Sequence, residues 1–453
     1  MMPTAGAQPV RRPRVVIVVR KSLKQPEKAF RIHGIRTLCG SAALSKSIRK
    51  YNAEKDRSSV YRIWRECGWI SDEKKEKEAV DAILRAGRSF VFDHNGSAEC
   101  LVTSADSRLV YNREGLRHAA ITSVTTSRIV RNLGAASSTL AYTLSKEAEN
   151  GFATSGLGMF EQGFYNRLGY GTGVYENWIA FDPAWLTDLP APEVPRRFDI
   201  RNYKLIHQAR LNRRKAHGAV DLISPELTRA DMLLLKNTFC LGYKDGRSIS
   251  HCVVMFCSDV EQGPYKVMCL VYKNFAQLRE LLALIKGLSD QIRQVRLREP
   301  REIQIQDFLD KPFQLQTVSQ EGKFEAGVRS DAYWQVRILD MKKCISAMKC
   351  GADVKFNLTV EDPIERFLPA KSAWKGCGGE YTVSLGSTSS IKKGASKGLD
   401  TLSASINDFT RYWLGVQTAE ALNVTGLFDG PQRLLEKLDA ANGLSSPEPD
   451  WDY

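Results

Sequence analysis

Residues 124–136, VTTSRIVRNLGAA, contain an uncharged run that passes into a basic turn and then into a helix-forming segment. The turn includes Arg131-x-x-Gly134-x-Ala136, whose small residues would let an anionic group approach the main chain closely. The N-terminus of the following helix adds a partial positive charge, and Arg131 adds a full one. The pattern predicts a pyrophosphate-binding turn, although a plain strand–helix junction with small residues at a packed contact has the same pattern.

The segments on either side of this turn predict alternating strands and helices. Helices over 58–68 and 73–87 precede three strands, SFVFD, AECLVTS and AAITSVTTS, and His94-Asn95-Gly96 predicts a hairpin between the first two. After the turn we expect a helix over 132–150, a strand SGLGMF, a helical turn QGFYNRL and a strand VYENWIAFD. Four prolines between 183 and 195 then indicate a linker.

Two further units follow. Over 191–335 we expect a helix at 203–220, strands SHCVVMFCS and YKVMCLVYK, a helix at 275–291 and a strand at 301–308. Over 336–453 we expect strands WQVRILD, KFNLTVE and EYTVSLG and a helical end. The predicted domains are therefore 46–190, 191–335 and 336–453, in the mixed α/β (α+β) fold class, after a basic, poorly ordered extension at 1–45.

Composition excludes several kinds of protein. The 453 residues carry a formal charge of +14, but twelve basic residues and a single acid, Glu27, lie within the first fifty positions. The rest of the chain is nearly neutral, so its charge does not indicate nucleic-acid binding. The basic segment is consistent with a transit peptide, a basic arm or an extension without function. No run approaches the roughly 18 apolar residues of a membrane-spanning helix.

Cysteine and histidine usage indicates a reduced, metal-free interior. The ten cysteines include no C-x-x-C pair, and the six histidines form no spaced ligand set. We therefore expect free thiols, a cytoplasmic location and no metal site.

The order strand, pyrophosphate-type turn, helix, strand and tyrosine-bearing turn resembles that of the Gcn5-related N-acetyltransferases (GNAT). Residues 164–171, FYNRLGYG, resemble the Y-x-R-F-G-Y-G signature of the enhanced intracellular survival (Eis) acetyltransferases. The segment LLEKLDAA at 434–441 and the terminal Trp451-Asp452-Tyr453 are similar to that family's C-terminus. The resemblance implies two tandem GNAT-like domains, a sterol-carrier-protein-like (SCP2-like) third domain and a homohexamer.

The resemblance also implies roles for individual residues in transferring acetyl from acetyl-CoA, as co-substrate, to a small-molecule or lysine amine. Tyr165 matches the general acid, and the C-terminal carboxylate of Tyr453 matches the general base. The positions that match the acetyl-CoA site are the splayed strand, the turn and the residues before the tyrosine turn: Val124, Thr125, Thr126, Arg131, Asn132, Leu133, Gly134, Ala135, Ala136, Ser137, Phe160 and Glu161.

No Asp or Glu occurs between Glu114 and Glu147, the segment that contains the predicted strand and turn. This absence supports a general base that comes from another part of the chain. An amine that arrives neutral would need no base, and Tyr165 would equally suit a packing role in a glycine-rich turn. The chain also departs from the family. It has one arginine fewer before the glycine, with Arg128 as the available substitute, and Ser123 stands where an aromatic usually lines the amine pocket.

The second unit has no R-x-x-G-x-G/A pattern, so we expect it to lack an acetyl-CoA site. For the third unit we expect a filled core rather than a lipid cavity. The alternative function is a non-catalytic lipid- or polyanion-binding protein with a decayed acetyltransferase core.

Overall fold

The computed structural model describes residues 48–261, 263–311 and 324–452, and the predicted extension at 1–45 lies outside them. The first part of the described chain contains these elements: β1 (Ile48–Lys50), α1 (Ala53–Glu66), α2 (Lys74–Ala86), β2 (Gly87–His94), β3 (Ser97–Tyr111), β4 (Glu114–Thr126), α3 (Ala135–Glu149), β5 (Thr154–Gly158), α4 (Gln162–Asn166) and β6 (Gly171–Thr172). Asn95 and Gly96 have φ angles of 52° and 84°, which the predicted hairpin turn requires.

The middle of the chain continues with β7 (Glu176–Phe181), β8 (Arg196–Phe198), α5 (Tyr203–Leu211), β9 (Val220–Leu222), α6 (Pro225–Leu234), β10 (Phe239–Asp245), β11 (Ser248–Phe256), β12 (Tyr265–Val271), α7 (Phe275–Lys286), β13 (Val295–Arg298) and β14 (Gly327–Asp331). The last part contains β15 (Trp334–Ile338), α8 (Met341–Ala347), β16 (Val354–Glu361), β17 (Gly379–Leu385), β18 (Ser390–Lys393), β19 (Thr401–Ser405), α9 (Ile406–Trp413), α10 (Ala419–Val424), β20 (Phe428–Asp429) and α11 (Gln432–Ala441).

The described strands form three mixed sheets. The first has the order β1-β2-β3-β4-β5-β15-β6, with β9 added to β3, and the second has the order β8-β10-β11-β12-β13-β7-β14. Each contains an antiparallel series, one parallel pair (β4–β5 or β12–β13) and a further antiparallel strand. The third sheet has the order β18-β17-β16-β19-β20. The predicted mixed α/β fold class is confirmed.

The first two sheets exchange a strand. Strand β7, which the sequence analysis placed in the domain 46–190, pairs with β13 in the second sheet. Strand β15, at the boundary between the predicted second and third domains, pairs with β5 in the first sheet. Strand β15 lies next to β5, and β7 lies next to β13, the second strand of the parallel pair in each sheet. Domain boundaries at 190 and 335 therefore do not separate the two sheets.

Two elements differ from their sequence predictions. The helix expected over 203–220 ends at Leu211, and β9 pairs with β3 of the first sheet instead. The strand expected over 301–308 is wrong, because Ile305–Phe308 form a 3₁₀ turn and the strand lies earlier, at β13. Ile305 is fully buried. Buried apolar residues in a 3₁₀ turn can produce the same alternation of apolar and polar residues as a strand.

The third sheet packs against helices through large aromatic side chains. Phe409, Tyr412, Trp413 and Phe428 are each at most 2% exposed, and the Tyr412 hydroxyl donates to the Leu438 carbonyl at 2.9 Å. The core of this unit is therefore occupied by its own side chains. No helix among the described residues has the length and apolar character needed to span a membrane.

Candidate active site

The first sheet opens between its two parallel strands. Strands β4 and β5 pair from His118–Ile121 against Thr154–Leu157, after which β5 ends at Gly158 while β4 continues to Thr126. Beyond Ile121, β4 keeps β3 as its strand partner on the other side. The gap between 122–126 and Gly158, here called the first-sheet cleft, therefore exposes main-chain groups that an extended ligand could pair with. The predicted residues Val124, Thr125 and Thr126 lie along it.

A β-bulge lies at the start of this cleft. Thr103 pairs with Thr122 and Leu101 with Thr125, so two residues of β4 stand opposite the single residue Val102. Ser123 has a φ of 57°, and its buried hydroxyl has no hydrogen-bond partner among the described residues. A bulge of this kind turns main-chain groups away from the ladder. The sequence analysis treated Ser123 only as a missing aromatic, because a β-branched run carries no signal for a bulge.

The predicted pyrophosphate turn lies at the end of the cleft. After a short 3₁₀ turn at Arg128–Val130, Asn132 and Gly134 take φ angles of 64° and 79° immediately before α3. Gly134 occupies the N-cap of α3 and makes no side-chain cap. The first N–H groups of the helix are therefore available to an anion. Among the predicted residues, four are exposed at the turn and three begin the helix: Arg131, Asn132, Leu133 and Gly134, then Ala135, Ala136 and Ser137.

The positive charge of the turn is not neutralised within the described part of the chain. Arg128 and Arg131 are exposed, and neither guanidinium forms an ion pair with a described carboxylate. The main-chain N–H of Arg128 donates to Glu66 Oε2 at 2.8 Å, which ties the turn to the C-terminal end of α1. This turn fits a diphosphate group. It combines a glycine in a left-handed conformation, a helix N-terminus without a side-chain cap and two arginines that form no ion pair with a described carboxylate.

Tyr165 lies on α4 at the inner end of the cleft. It is 7% exposed and belongs to the same apolar cluster as Ile121 and Leu157, the last residue pair before β4 and β5 separate. Burial, with a smaller contribution from the charge of Glu161, raises the pKa of Tyr165 to about 12. Its hydroxyl has no hydrogen-bond partner within 48–261, 263–311 and 324–452. The phenol is thus protonated and free to donate to a ligand.

Phe160 and Glu161, predicted to flank the thiol end of acetyl-CoA, connect β5 to α4. Phe160 is 91% exposed, so nothing in the described chain covers its ring. The Glu161 carboxylate accepts from the N–H groups of Gly163 and Phe164 and thereby caps α4. Glu161 is occupied in holding the tyrosine turn, which is a supporting role rather than a chemical one.

The described part of the C-terminal tail reaches a neighbour of strand β5. Tyr453 lies outside the described residues, but Asp452 accepts from Arg298 Nη1 at 2.7 Å and lines a cavity of about 680 Å³ together with Tyr333. The Tyr333 carbonyl accepts from the Met159 N–H at 2.7 Å, and its hydroxyl lies beside Gly158. The tail and the end of β5 therefore share Tyr333 as a neighbour.

Other titratable groups near the cleft are not arranged for chemistry. His118 on β4 is fully buried, bonds to Thr154 Oγ1 at 2.8 Å, and burial lowers its pKa to about 3. Trp69 is 43% exposed and packs edge-on against buried Trp64. In the part of the chain that the structure describes, no group of three or more His, Cys, Asp or Glu side chains could hold a metal ion.

Comparison with known families identifies the first unit. Residues 47–173 match the model described as an acetyltransferase (GNAT) domain. None of the curated proteins matches the chain. The protein therefore contains a GNAT domain and is an acyltransferase, and domains of this type use acetyl-CoA as acetyl donor.

Solved structures with the same fold cover nearly the whole chain. A probable N-acyltransferase of unknown function from Enterococcus faecalis V583 has a TM-score of 0.74 at 16% identity and covers 90% of this chain and 99% of its own. A GCN5-related N-acetyltransferase from Kribbella flavida has a TM-score of 0.69 at 20% identity, covering 90% and 98%. Eis1 from Mycobacterium abscessus has a TM-score of 0.69 at 17% identity, covering 90% and 100%. At these identities, the likeness establishes the fold alone.

Proposed function

We propose that this protein is an N-acetyltransferase that moves the acetyl group of acetyl-CoA directly to a primary amine. The amine nitrogen forms a bond to the thioester carbon, the carbon–sulfur bond breaks, and the departing thiolate takes the proton of the Tyr165 hydroxyl. Main-chain groups of 124–126 hold the pantetheine arm, and the turn at 131–137 holds the pyrophosphate. The observation that supports the proposal is the buried Tyr165 phenol, which has no hydrogen-bond partner among the described residues and packs in the same cluster as Ile121 and Leu157, where β4 and β5 separate.

The excess amine proton needs an acceptor, and we assign it to the C-terminal carboxylate of Tyr453. No acidic residue lies on β4 beyond Glu114, and the side chain of His118 is enclosed in the sheet. Asp452, the preceding residue, is held by Arg298 and lines a cavity together with Tyr333, whose hydroxyl lies beside Gly158 at the end of β5. The Eis-type arrangement, with an SCP2-like third unit, a homohexamer and a cytoplasmic location, forms part of the same proposal.

The experiment is an assay of thiol release from acetyl-CoA with a panel of amines that includes polyamines, aminoglycosides and lysine peptides. Amine-dependent release, with binding of acetyl-CoA at micromolar concentration by calorimetry, is the expected result. Lipid binding without any binding of CoA would favour the non-catalytic alternative. Release that is independent of added amine would contradict direct acetyl transfer.

Gly134→Ala should weaken binding of acetyl-CoA at least about tenfold. A non-glycine residue at a φ of 79° is strained by about 1–2 kcal/mol, so the turn must shift its N–H groups away from the diphosphate. Calorimetric titration with CoA measures the change. Gly96→Ala is the matched control, because Gly96 has a φ of 84° at a hairpin tip with open space around it. Both variants should lose similar stability, and an equal loss of CoA affinity in both would contradict the assignment.

A further inference from the structure

The second sheet has an opening like that of the first. Strands β12 and β13 pair in parallel only at Tyr265–Lys266 against Val295–Arg296, and the rest of β12 continues alone on that side. We call the gap between 267–271 and the end of β13 the second-sheet cleft. It corresponds in the order of strands to the first-sheet cleft, which is the proposed site of acetyl-CoA.

The helix N-terminus at this second cleft differs from the one at Gly134 because it is capped by side chains. Helix α7 follows β12 as α3 follows β4, but its N-cap Asn274 accepts from the Gln277 N–H at 3.0 Å. The Gln277 side chain in turn accepts from the Lys273 N–H at 2.8 Å. The helix N-terminus is therefore capped by its own chain, in contrast to the uncapped Gly134.

The second-sheet cleft instead contains the C-terminal tail of the protein. A cavity of about 80 Å³ there is lined by residues of β12, of α5 and β13 with the segments that follow them, and by tail residues Glu448 and Asp450. The Glu448 N–H donates to the His217 carbonyl at 2.9 Å, which anchors the entrance of the tail. The occupant of the cleft is thus a segment of this chain.

The acidic residues of the tail alternate, and each has its own partner. Glu448 accepts from the Arg301 N–H at 2.7 Å, and Asp452 accepts from Arg298. Asp450 lies between them and accepts from Arg213 Nε at 2.6 Å and Nη2 at 2.5 Å. In an extended segment, every second side chain lies on the same face. The spacing of 448, 450 and 452 is therefore that of an extended segment whose acidic face lies against hydrogen-bond donors.

The central pair joins a buried arginine to a partly buried carboxylate. The side chains of Arg213 and Asp450 are 7% and 24% exposed, and Arg213 also binds Asp221 Oδ1 at 2.9 Å. Burial raises the pKa of Asp450, but Arg213, Arg298 and the hydrogen bond from the Val220 N–H together outweigh this effect and hold the pKa below its ordinary value. A forked, charge-assisted contact of this kind fixes both the position and the direction of the tail.

Trp451 adds a second set of contacts that hold the tail. It is 1% exposed, with the Arg210 guanidinium 3.6 Å from its ring centroid and the His207 ring edge-on at 5.4 Å. The Arg213 guanidinium, which binds Asp450, also lies 5.4 Å from the centroid of the indole ring. A shift of the tail by one residue would therefore break both the ionic and the aromatic contacts.

We propose that the second-sheet cleft is a binding site for the acidic tail segment 447–452, and that Arg213 and Arg298, by holding Asp450 and Asp452, position the terminal carboxylate that follows them for the reaction. The peptide-binding part stands by itself, whereas the positioning part rests on the proposed function. The second unit thus uses the opening of a GNAT-like sheet to hold a peptide instead of CoA.

Hydrogen–deuterium exchange of the full-length protein tests the binding site without any activity measurement. Peptide fragments covering 447–453 should exchange slowly in the wild type and at least about 100-fold faster in Asp450→Asn, because the buried Arg213 loses one of its carboxylate partners. Asp400→Asn is the matched control: Asp400 is held by the same two-pronged contact, from Arg433, but on the surface. It should leave tail exchange unchanged, and Asp450→Glu should recover part of the protection.

A tail that exchanges freely in the wild type, or equally in wild type and Asp450→Asn, would overturn the proposal. Should Asp450→Asn fail to fold, Asp452→Asn provides the second variant, since its side chain is 54% exposed and only the last residues should lose protection. For the positioning role, Arg298→Gln should lower kcat with little change in the affinity for acetyl-CoA. Protection of the tail in a protein without acetyl transfer would reject the proposed function and retain the binding site.

Discussion

Replacing Tyr165 with phenylalanine should lower kcat for acetyl transfer by about 10²- to 10⁴-fold and leave the affinity for acetyl-CoA nearly unchanged. The ring would keep its edge contacts with Phe164 and Tyr170, so the turn should retain its packing. Only the proton that the thiolate takes would be missing. Steady-state kinetics with the best amine of the panel, together with calorimetric titration of CoA, measure the two quantities separately.

Tyr170→Phe is the matched control for this substitution. Tyr170 is a fully buried tyrosine five residues further along the chain, and its hydroxyl is paired with Ser155 Oγ at 2.8 Å. Its loss should cost about 1 kcal/mol of stability and little activity. Nearly full activity of Tyr165→Phe, or equal losses in both variants, would mean that Tyr165 only packs the turn.

The pH profile provides a further check on the same residue. Because burial raises the pKa of Tyr165 to about 12, the phenol stays protonated to at least about pH 10. The rate should therefore rise with pH as the amine and its base lose protons, and it should not decline below about pH 10. A decline of the wild-type rate near about pH 8–9 that disappears in Tyr165→Phe would contradict this pKa.

The parts of the site that depend on neighbouring residues were predictable from the sequence. The glycine at 134 must take a left-handed conformation directly before a helix, and the Tyr165 turn follows a short strand with its cap at Glu161. Both are set by interactions within a few residues, which leave recognisable residue types at fixed spacing. The helix α3, predicted over 132–150, was therefore placed to within three residues of its observed bounds, whereas β4 begins five residues before the predicted AAITSVTTS segment.

The exchange of strands was not predictable, because alternation of side chains identifies a strand but not its partner. Strand β7 follows the first unit in sequence and pairs in the second sheet, while β15 returns to the first. The bulge at Ser123 and the occupied second-sheet cleft arise in the same way from contacts far apart in sequence. Asp450 and Arg213, for example, are 237 residues apart.

Asp362→Ala should have the largest effect on stability, lowering the free energy of unfolding by about 3–5 kcal/mol. Asp362 accepts from Arg337 Nη2 at 2.8 Å, and neither side chain of this ion pair is exposed. The same carboxylate accepts from the Cys377 N–H at 2.8 Å and the Ile364 N–H at 3.2 Å. Removing it leaves a guanidinium without a counter-charge inside the protein, together with two unpaired main-chain groups.

The effect should extend to the active site, because Arg337 also donates to the Leu168 carbonyl at the end of the tyrosine turn. Urea unfolding measures the free energy of unfolding. The value of kcat, determined well below the unfolding temperature, shows whether the tyrosine turn still supports catalysis. Arg337→Met added to Asp362→Ala should recover part of the loss, since the uncompensated charge is then absent. Asp400→Ala, which removes a surface ion pair with Arg433, should change stability little. If the double variant is no more stable than Asp362→Ala alone, then the carboxylate acts by capping main-chain N–H groups and not by balancing Arg337.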